Sequence, residues 1–405
     1  MIEKNLKKIH FIFLIWTACT QCGSGSLRTT DHQNANAPSS PIVQVITGAE
    51  QLELLVPKLK DKRVALVVNY TATVGKVHLA DTLKVLGVNI KKIMSPEHGF
   101  RGTATAGEYV KDGVDSKSGL PVVSLYGNNR KPTAEQLADV DVVIFDIQDV
   151  GVRFFTYVGT LHYVMEACAE NGKKLIVLDR PNPNAGYLDG PVLLPEFKSF
   201  IGMHPVPVVH GLTVGEYAGM LNGEGWLDGQ KKCTLEVITM KNWKHSDEYV
   251  LPIKPSPNLP NQQAILLYPS ICFFEGTALS LGRGTRMPFQ VIGHPDLKNM
   301  PFEFTPVDVP GMAVDPPLEN QLCHGLDLRT TTVPKRIDLH YLIDMYKAFP
   351  TKEKFFVPNF ARWAGSNVLA QQIKDGLDEE AIRASWQPDL KKFKSMRAHY
   401  LLYPE

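Results

Sequence analysis

The chain has few cysteines for its length and lacks the short motifs of several large enzyme classes. Beyond the first 23 residues its cysteines are Cys168, Cys233, Cys272 and Cys323, too widely spaced for a zinc motif. No GxGxxG or GxxxxGKS/T segment follows a predicted strand, which argues against a dinucleotide or P-loop site. GxSxG and HExxH are also absent, so neither a serine esterase nor a HExxH metalloprotease site is expected.

The sequence also lacks a charge imbalance and a long apolar run. Its 43 basic and 42 acidic residues give a formal net charge of +1, and there is no basic run, so we expect no nucleic-acid partner. The apolar run at residues 9–18 is too short for a membrane-spanning helix, which needs roughly 20 residues. No later segment is long and apolar enough to cross a bilayer.

Residues 1–22 instead predict a secretory signal peptide. Lysines precede the apolar run, and Cys19 and Cys22 follow it. A cysteine at this place resembles the lipidated residue of a bacterial lipoprotein, whereas Trp16, where a smaller aliphatic residue is usual, leaves ordinary cleavage as the alternative. Residues 23–44 are rich in Ser, Asn, Thr, Ala and Pro and predict a flexible tether. We therefore expect an exported, periplasmic protein, anchored to the membrane through Cys19 or Cys22.

Strand and helix patterns alternate between residues 45 and 250. Compact apolar runs predict buried parallel strands at Arg63–Asn69, Ile90–Met94, Pro121–Leu125, Asp141–Phe145, Lys174–Leu178 and Val206–Val209. Helical patterns lie between or after them, at Leu79–Leu86, from Thr133, at Phe155–Asn171 and at Thr213–Asn222. Repeated strand–helix units predict an α/β fold, a doubly wound and mostly parallel sheet with helices on both faces.

The composition shifts beyond residue 250. Prolines crowd the start of this region and argue against regular helix there: Pro252, Pro255, Pro257, Pro260 and Pro269. Mixed short strands follow, with two helices predicted at Leu339–Ala348 and Asn367–Gly376. We therefore predict a catalytic domain at residues 45–250 and a smaller α+β domain at residues 251–405 that closes a cleft.

Charged and polar side chains follow the ends of the predicted strands. Glu97 lies in the turn SPEHGFRG (95–102), where Pro96 stops the strand and glycines let the chain turn. Asp146 or Asp149, then Asp179 and His210, follow later strands. Ligands bind at this edge of open α/β sheets, and clustered like charges cost stability. The pattern predicts a ligand site, with Glu97 as the first choice for chemistry.

Several of these residues also have a structural interpretation. Arg101 is the obvious local partner of Glu97, and Asp149 and Arg153 are four residues apart and could pair. Glu216 fits a capping box with Thr213.

Two chemistries suit clustered carboxylates without a serine or cysteine nucleophile. Glycoside cleavage needs a protonated carboxyl to give a proton to the leaving oxygen, and a second group to deliver water, attack or brace the acetamido group. Metal-assisted hydrolysis would instead use Asp146, Asp179, His98 or His210 as ligands. No fixed metal-ligand spacing is present, so we expect neither a metal nor another cofactor.

Longer motifs carry a family resemblance. They are SPEHG (95–99), LPVVSLYG (120–127), RKPT (130–133), FDIQDVGVRFFTY (145–157), LDRPNPNAG (178–186), VHGLTVGEYA (209–218), PSPNLPN (255–261), YPSICFFEGTALSLGRGT (268–285) and PFQVIGHP (288–295). From about residue 45 onward the chain resembles the exo-β-N-acetylmuramidases, formerly a domain of unknown function. The resemblance implies a Rossmann-like domain, a smaller C-terminal domain and an active site in the cleft. It also implies removal of N-acetylmuramic acid from the non-reducing ends of peptidoglycan fragments.

The resemblance places the family's key glutamate at Glu97, which we expect to be the general acid. The residues expected to take part in catalysis are Glu97, His98, Asp146 and Asp149. Those expected to contact the saccharide are Asn69, Arg101, Gln148, Arg153, Tyr157, Asp179, Asn182, His210, Asn258, Glu275 and Arg283. Tyr70 and Ser270 depart from the family's usual Gln and Gly, and Tyr70 could alter a subsite.

Arg283 is the first candidate to bind the lactyl carboxylate of muramic acid, because Gly282 and Gly284 flank it and would let a ligand approach. Arg153 is the second candidate. The alternative for Arg283 is an ion pair with Glu275 that holds the two domains together. For the whole protein, the alternative is a non-catalytic exported lipoprotein that binds muropeptides.

Overall fold

A seven-stranded sheet organises the part of the chain that the structure describes. This computed structural model describes residues 44–97, 99–101 and 112–405. The predicted signal peptide, nearly all of the predicted tether, and His98 lie outside the described residues. The strands, in chain order, are β1 (Val64–Val68), β2 (Thr73–Val74), β3 (Val77–His78), β4 (Ile90–Ser95), β5 (Gly113–Val114), β6 (Pro121–Ser124), β7 (Val142–Asp146), β8 (Lys174–Leu178), β9 (Thr234–Ile238), β10 (Val291–His294), β11 (Phe302–Phe304) and β12 (Cys323–Asp327).

The large sheet is almost entirely parallel. Its strand order is β5-β6-β4-β1-β7-β8-β9, and only the short edge strand β5 pairs antiparallel with its neighbour. β1 lies at the centre, with Val64 opposite Ile90 on one side and Val142 on the other. The predicted doubly wound, mostly parallel α/β sheet is confirmed.

Both faces of the sheet are buried, which explains the continuous apolar runs. Along β1, Ala65 and Val67 pack into the main core, whereas Val64, Leu66 and Val68 pack into a second core on the other face. The same alternation occurs along β7 and β8. Successive side chains of a strand point to opposite faces, so a strand covered on both sides needs apolar residues at every position.

The helices cover these faces and build the C-terminal region. They are α1 (Leu52–Leu55), α2 (Leu79–Val85), α3 (Ala134–Leu137), α4 (Tyr157–Glu170), α5 (Val214–Gly223), α6 (Gln262–Ile271), α7 (His340–Ala348), α8 (Lys352–Phe355), α9 (Phe360–Ala364), α10 (Val368–Lys374) and α11 (Glu379–Arg397). Short 3-10 helices lie at Gly48–Glu50, Val56–Leu59, Pro195–Phe197, Asp228–Gln230 and Cys272–Gly276. No helix in the described ranges combines the length and apolarity needed to span a membrane.

Two local signals are confirmed at helix starts. The capping box of Thr133 with Gln136 opens α3, and that of Thr213 with Glu216 opens α5. In both boxes the threonine side chain accepts from the backbone N–H three residues on, and the third residue reaches back to the threonine. Glu216 is therefore a structural residue, as its local sequence indicates.

The predicted strand at Val206–Val209 is wrong. Val209 makes only isolated bridges, to Val152 and Asp189, and β9 occupies the place next to β8. An apolar run alone does not distinguish a strand from a buried loop. This segment is held by the loops that leave β7 and β8, which supply single backbone hydrogen bonds instead of a ladder.

The C-terminal region contains a small antiparallel sheet, order β10-β12-β11, and helices α6–α11. This matches the predicted smaller α+β region. Proline does not exclude helix throughout its first part, because α6 contains Pro269 in its last turns. The main core includes residues on both sides of the predicted boundary at 250/251, and the boundary itself stays a prediction.

A buried ion pair joins the ends of two central strands. Asp146 ends β7, and Arg180 follows β8 directly. The guanidinium binds the carboxylate through two bonds, from Nε to Oδ1 and from Nη2 to Oδ2, the second at 2.8 Å. Nη2 also donates to the carbonyl of Thr73 at 3.1 Å. Both side chains are buried, so each charge depends on the other for compensation.

We predict that Arg180→Met strongly destabilises the fold. Asp146 would keep a buried charge without its partner, which typically costs about 3–5 kcal/mol. Urea denaturation measures the change in the free energy of unfolding. A matched control is Arg63→Met, since Arg63 and Asp141 form an exposed pair at 2.7 Å at the starts of β1 and β7. The control should lose far less stability, and equal losses in the two variants would contradict the prediction.

Candidate active site

Glu97 lies in a tight turn directly after β4. Ser95 ends the strand and its carbonyl accepts from Leu125 N at 2.8 Å, while Gly99 N donates to the carbonyl of Pro96 at 3.2 Å. Gly99 has a φ of +74°, which a residue with a Cβ adopts at a cost. Glu97 remains partly exposed at the carboxyl edge of the sheet. The structure therefore places this carboxylate where the sequence predicts it.

Glu97 opens into a cleft of 240 Å³. Glu97 is the one carboxylate among the described residues that line it. The others are Tyr126, Phe154, Phe155, Thr156, Tyr157, Phe200, Ile201, Ser256, Asn258, Leu259, Tyr268, Cys272, Arg283, Phe289 and Trp363. The lining comes from the loops after β4, β6, β7 and β8 and from the C-terminal region, so the cleft forms where the predicted halves meet.

Aromatic side chains form the walls of this cleft. Phe154 contacts Trp363 edge to face, with ring centroids 5.6 Å apart, and Phe155 contacts Tyr157 at 4.9 Å. Tyr268 contacts Phe289 at 4.9 Å. Edge-to-face pairs add stability beyond their buried area and fix ring positions. The walls are therefore rigid, apolar surfaces of the kind on which a sugar ring can stack.

Tyr126 is a site residue that the sequence reasoning missed. It follows β6, which is the neighbour of β4, so its hydroxyl reaches Glu97 and forms a hydrogen bond. Burial, followed by the negative charge of Glu97 and this hydrogen bond, raises the pKa of Tyr126 to about 12. The sequence shows Tyr126 within the motif LPVVSLYG. It does not show that β6 lies next to β4, and that adjacency is what brings Tyr126 to Glu97.

Tyr157 and Asn258 are predicted contacts that do line the cleft. Tyr157 begins α4 and is buried; burial, and then the charges of Tyr70 and Glu97, raise the pKa of its hydroxyl well above the usual range. Asn258 lies in the proline-rich loop, where its Nδ2 donates to the carbonyl of Met312 at 2.8 Å. That bond fixes the amide orientation.

Arg283 also lines the cleft, and it pairs with Glu275. Its Nε donates to Glu275 Oε1 at 2.5 Å, and its guanidinium lies 5.1 Å from the centre of the Phe289 ring. Burial opposes its charge, but Glu275 more than offsets that effect, so the pKa of Arg283 is raised. Both partners follow residue 250, so the pair does not tie the two predicted domains together.

The glycines beside Arg283 are required by the protein itself. Gly282 and Gly284 have φ values of +87° and +76°. A Cβ at Gly282 would lie 2.6 Å from the carbonyl oxygen of Met287, and one at Gly284 would lie 2.4 Å from Pro316 Cγ. Backbone conformation and close packing therefore account for both glycines, and ligand approach is not needed to explain them.

Asp146 and Asp179 lie beneath the site and do not line the cleft. Asp146 is held by Arg180, and Asp179 accepts from Thr213 Oγ1 at 2.7 Å and Tyr403 OH at 2.6 Å. Burial, partly countered by these hydrogen bonds, raises the pKa of Asp179 to about 6. These contacts hold the loops after β7 and β8 in place.

Arg153 and Asp149 do not pair, which corrects one structural expectation. Arg153 is buried and donates to the carbonyls of Pro191, Val206 and Trp363 at 2.7–2.9 Å. Burial lowers the pKa of Arg153 to about 9. Arg153 thus joins the loop after β7 to the C-terminal region, and it is not among the residues lining the cleft.

Arg101 does not pair with Glu97 in the way that its spacing suggests. Its guanidinium binds Asp115 at 2.8 Å and Asp81 at 3.2 Å, and it lies 4.3 Å from the centre of the Phe100 ring. The hydrogen bond from Arg101 holds the pKa of Asp115 well below its usual range. Arg101 thus ties its own position, four residues after Glu97, to Asp81 and Asp115.

The remaining predicted contacts hold loops together. Asn69 Oδ1 accepts from Thr71 at the end of β1, and Gln148 Nε2 donates to the carbonyl of Pro181 at 2.7 Å. Asn182 Nδ2 donates to the carbonyl of Leu212 at 2.9 Å. Burial, and then Arg397, lower the pKa of His210 to about 3, and its Nδ1 accepts from Leu212 N. These buried amides and imidazole link the loops at the sheet edge.

One cluster among the described residues has atoms close enough to hold a metal ion. Asp338, His340 and Glu379 bring ligand atoms within 4.8 Å of one another. None of the three lines the cleft, and Glu379 is already paired with Arg383 at 2.6 Å. Nothing in this geometry connects the cluster with Glu97.

Comparison with known families shows to which family the chain belongs. For the family described as exo-beta-N-acetylmuramidase NamZ, the N-terminal model matches residues 64–263 and the C-terminal model matches residues 266–403. The chain belongs to this family. The resemblance expected from the motifs is confirmed, and the cleft is lined by residues from both matched regions.

Individual relatives agree over nearly the whole length. The peptidoglycan beta-N-acetylmuramidase NamZ of Bacillus subtilis (strain 168) is 36% identical over 426 residues, which cover 98% of this chain and 100% of that protein. Crystal structures of two DUF1343 family proteins from Bacteroides fragilis NCTC 9343 share the fold. One is 46% identical with a TM-score of 0.84, the other 31% identical with a TM-score of 0.75. Each match covers 90% of this chain and 100% of the other.

The buried Asp149 makes stability depend on pH. Its Oδ1 accepts from Gly151 N at 2.7 Å, and burial raises the pKa of this carboxyl to about 7. The unfolded chain releases this proton near pH 3.9, so between about pH 4 and 7 the folded state binds more protons. Stability from this group is therefore present at low pH and is lost as pH rises toward 7.

We predict that Asp149→Asn removes this contribution. Measured as a difference from the variant, the free energy of unfolding of the unmodified protein should fall between about pH 4.5 and 7, because an amide does not ionise. Asp179 adds a slope of the same sign, whereas buried histidines with a lowered pKa, such as His210, add slopes of the opposite sign in both proteins. Denaturant titrations across this range measure both, with the exposed Asp344→Asn as control. Equal slopes in the Asp149→Asn variant and the unmodified protein would contradict the prediction.

Proposed function

We propose that this protein is an exo-acting glycoside hydrolase that releases N-acetylmuramic acid from the non-reducing ends of peptidoglycan fragments. The observation that carries the proposal is Glu97, the carboxylate that lines an aromatic cleft in a member of the exo-β-N-acetylmuramidase family. The activity named for the Bacillus subtilis relative supports the same substrate class.

The size of the cleft favours a terminal sugar. Its 240 Å³ lies below the roughly 300–1,000 Å³ of sites that enclose drug-sized ligands. One ring can stack on the aromatic walls, and the rest of a strand must lie outside. This is the geometry that an exo-acting enzyme needs.

Glu97 is the general acid in this proposal. The protonated carboxyl gives its proton to the glycosidic oxygen as the bond to the sugar breaks, so the leaving group departs as a neutral alcohol. Over the full reaction water supplies the hydroxyl that the anomeric carbon gains, and its remaining proton replaces the one that Glu97 gave. The hydroxyl of Tyr126 holds the carboxyl in place, and the apolar walls limit the access of bulk water. Tyr126 thereby acts as a positioning residue.

We also propose that the protein is exported and carries a lipid anchor. The basic start, short apolar run and following Cys19 and Cys22 support secretion and attachment of a lipid, which would place the enzyme beside its cell-wall substrate. Metabolic labelling with a fatty-acid analogue in cells that express Cys19→Ser and Cys22→Ser variants tests which cysteine carries the lipid.

We predict that Glu97→Gln lowers kcat by several orders of magnitude while the fold is kept. Glutamine is nearly isosteric with glutamate but has no proton to give to the leaving oxygen. The assay is release of the aglycone from a chromogenic N-acetylmuramic acid glycoside, with circular dichroism to confirm folding. Exposed Glu196→Gln is the control and should keep full activity.

Two results would count against the proposal. Near-normal turnover by Glu97→Gln would remove Glu97 from the role of acid. Binding of the glycoside without release by the unmodified protein would favour the non-catalytic muropeptide binder.

We also predict that Arg283 binds the lactyl carboxylate that distinguishes muramic acid from N-acetylglucosamine. Glu275 holds Nε, and a guanidinium so oriented can offer its remaining N–H groups to a carboxylate. Such a contact is worth about 1.5–3 kcal/mol, so Arg283→Ala should reduce kcat/KM for muramic acid glycosides by about ten- to a hundredfold. Activity on the matched N-acetylglucosamine glycoside should change much less.

The controls separate recognition from structure. Arg286→Ala removes an exposed arginine three residues away and should leave the preference unchanged. Glu275→Gln breaks the ion pair but keeps the guanidinium. If Arg283→Ala leaves the preference between the two sugars intact and lowers stability only as Glu275→Gln does, Arg283 has a structural role alone.

A further inference from the structure

We propose that Arg130 binds a carboxylate in the leaving-group part of the glycan strand, at the edge of the cleft that holds the terminal sugar. The chemistry of this ligand rests on the proposed function. The place of Arg130 beside the cleft and its lack of an ion-pair partner rest on the structure, as the next paragraphs describe.

Arg130 lies on the loop that leaves β6 at the carboxyl edge of the sheet. The same loop carries Tyr126, whose hydroxyl forms the hydrogen bond with Glu97. Asn129 Nδ2 donates to the carbonyl of Ser124 at 3.0 Å, which folds the loop back onto the end of its own strand. One short, anchored loop therefore positions both Arg130 and the hydroxyl that holds the proposed acid.

The guanidinium of Arg130 lies against an aromatic wall of the cleft. Its Cζ is 4.1 Å from the centre of the Phe200 ring, and Phe200 lines the cleft. The Phe200 ring is in turn nearly parallel to that of Tyr163 on α4, with centroids 6.5 Å apart. A guanidinium that lies over a ring keeps its edge, which carries the N–H groups, available for a carboxylate. The contact thus orients the group without using up its hydrogen bonds.

Arg130 has no anionic partner in the described part of the protein. No ion pair or hydrogen bond of its guanidinium is found among the described residues, and its Nε is buried without a partner. The side chain as a whole remains partly exposed, so a ligand in solvent can reach it. A planar cation in this state can bind a carboxylate through two parallel hydrogen bonds.

The neighbours of Arg130 in the motif RKPT (130–133) have structural roles that Arg130 does not share. Lys131 pairs with Glu166 and Glu170 of α4 at 3.3 and 2.8 Å, and Thr133 caps α3. Packing on the aromatic ring needs only an apolar or planar side chain. The positive charge of Arg130 therefore has no structural use among the described contacts.

The position of Arg130 favours the leaving group over the terminal sugar. Its charge acts on the Tyr126 hydroxyl, where it opposes the effect of burial and of Glu97 on the pKa, so Arg130 lies near the proposed acid. It is nevertheless not among the residues that line the cleft, which has room for one sugar. Glu97 must reach the oxygen that joins this sugar to the rest of the strand. A cation near the acid but outside the cleft therefore lies on the leaving-group side.

The leaving group of a longer strand supplies the required anion. N-acetylmuramic acid alternates with N-acetylglucosamine, so a leaving group of two or more sugars carries a lactyl carboxylate of its own. The terminal sugar carries another, for which Arg283 is the candidate on the opposite, C-terminal wall of the cleft. Two arginines on different walls would thus bind two successive carboxylates of one strand.

Calorimetry with the full chain carrying Glu97→Gln, to prevent cleavage, tests the proposal. One ligand is the disaccharide N-acetylmuramyl-N-acetylglucosamine, whose leaving group is neutral. The other is the tetrasaccharide of two such units, whose leaving group carries a carboxylate. Adding Arg130→Met, which keeps apolar contact with Phe200, should weaken tetrasaccharide binding about tenfold, the lower end for a charge-assisted contact because Arg130 is partly exposed. Disaccharide binding should change much less.

A modified ligand shows whether the lost affinity belongs to the carboxylate. Converting the second lactyl carboxylate of the tetrasaccharide to a methylamide should weaken binding to the Glu97→Gln parent about as much as Arg130→Met does. The same conversion should have little effect once Arg130 is replaced, because the two changes remove one interaction. Raising the ionic strength should also weaken tetrasaccharide binding more in the parent than in the Arg130→Met variant.

Arg329→Met is the matched control. Arg329 also lies over a phenylalanine, 5.7 Å from the centre of the Phe302 ring, and neither of these two residues lines the cleft. This variant should bind both saccharides as the parent does, with thermal melting to confirm that every variant is folded. Equal tetrasaccharide binding by Arg130→Met and the parent would overturn the proposal. Equal weakening for both saccharides would also overturn it, because Arg130 would then act on the terminal sugar or on residue 97.

Kinetics separate this inference from the proposed function. With Glu97 intact, Arg130→Met should lower kcat/KM for the tetrasaccharide about tenfold and that for the disaccharide much less. Unchanged kcat/KM for the tetrasaccharide would contradict the role of Arg130 while leaving the enzyme assignment intact. Tetrasaccharide binding that depends on Arg130, without hydrolysis of either saccharide by the unmodified protein, would support Arg130 and reject the enzyme.

Discussion

The catalytic edge of the sheet depends on buried charges being compensated inside the protein. The ion pair of Asp146 with Arg180 joins the ends of β7 and β8, and Asp179 is compensated by Thr213 and Tyr403 from distant segments. A buried charge without a partner is expensive, so these contacts strongly restrict the loops that leave both strands. Those loops carry Phe154, Phe155 and Phe200 of the cleft wall, so the charges beneath them help to fix that part of the wall.

This arrangement separates the buried carboxylates from the one that lines the cleft. Asp146, Asp149 and Asp179 are buried below the edge, whereas Glu97 lines the cleft and meets Tyr126 there. A general acid benefits from apolar walls and from one well-placed hydrogen bond, and both surround Glu97. The aromatic and polar motifs thus serve two purposes, since some support the loops below the cleft and others line the cleft itself.

Much of the fold could be predicted because each central strand is buried on both faces and leaves a continuous apolar run. Val206–Val209 has the same composition but lies in a loop, since composition does not reveal whether a hydrogen-bonded neighbour is present. At the site, Glu97 could be placed from Pro96 and the glycine turn. Tyr126 could not, because its position beside Glu97 follows from β6 lying next to β4. The partners of Arg153 could not be predicted either, because they are backbone carbonyls, which no pattern of side chains indicates.

The central claim is that the Glu97 cleft removes one terminal muramic acid at a time. Mass spectrometry of products from two defined tetrasaccharides tests this most directly, one with N-acetylmuramic acid and the other with N-acetylglucosamine at the non-reducing end. The account predicts free N-acetylmuramic acid and a trisaccharide from the first, and no cleavage of the second. Internal cleavage of either substrate, or release of N-acetylglucosamine from the second at a comparable rate, would contradict it.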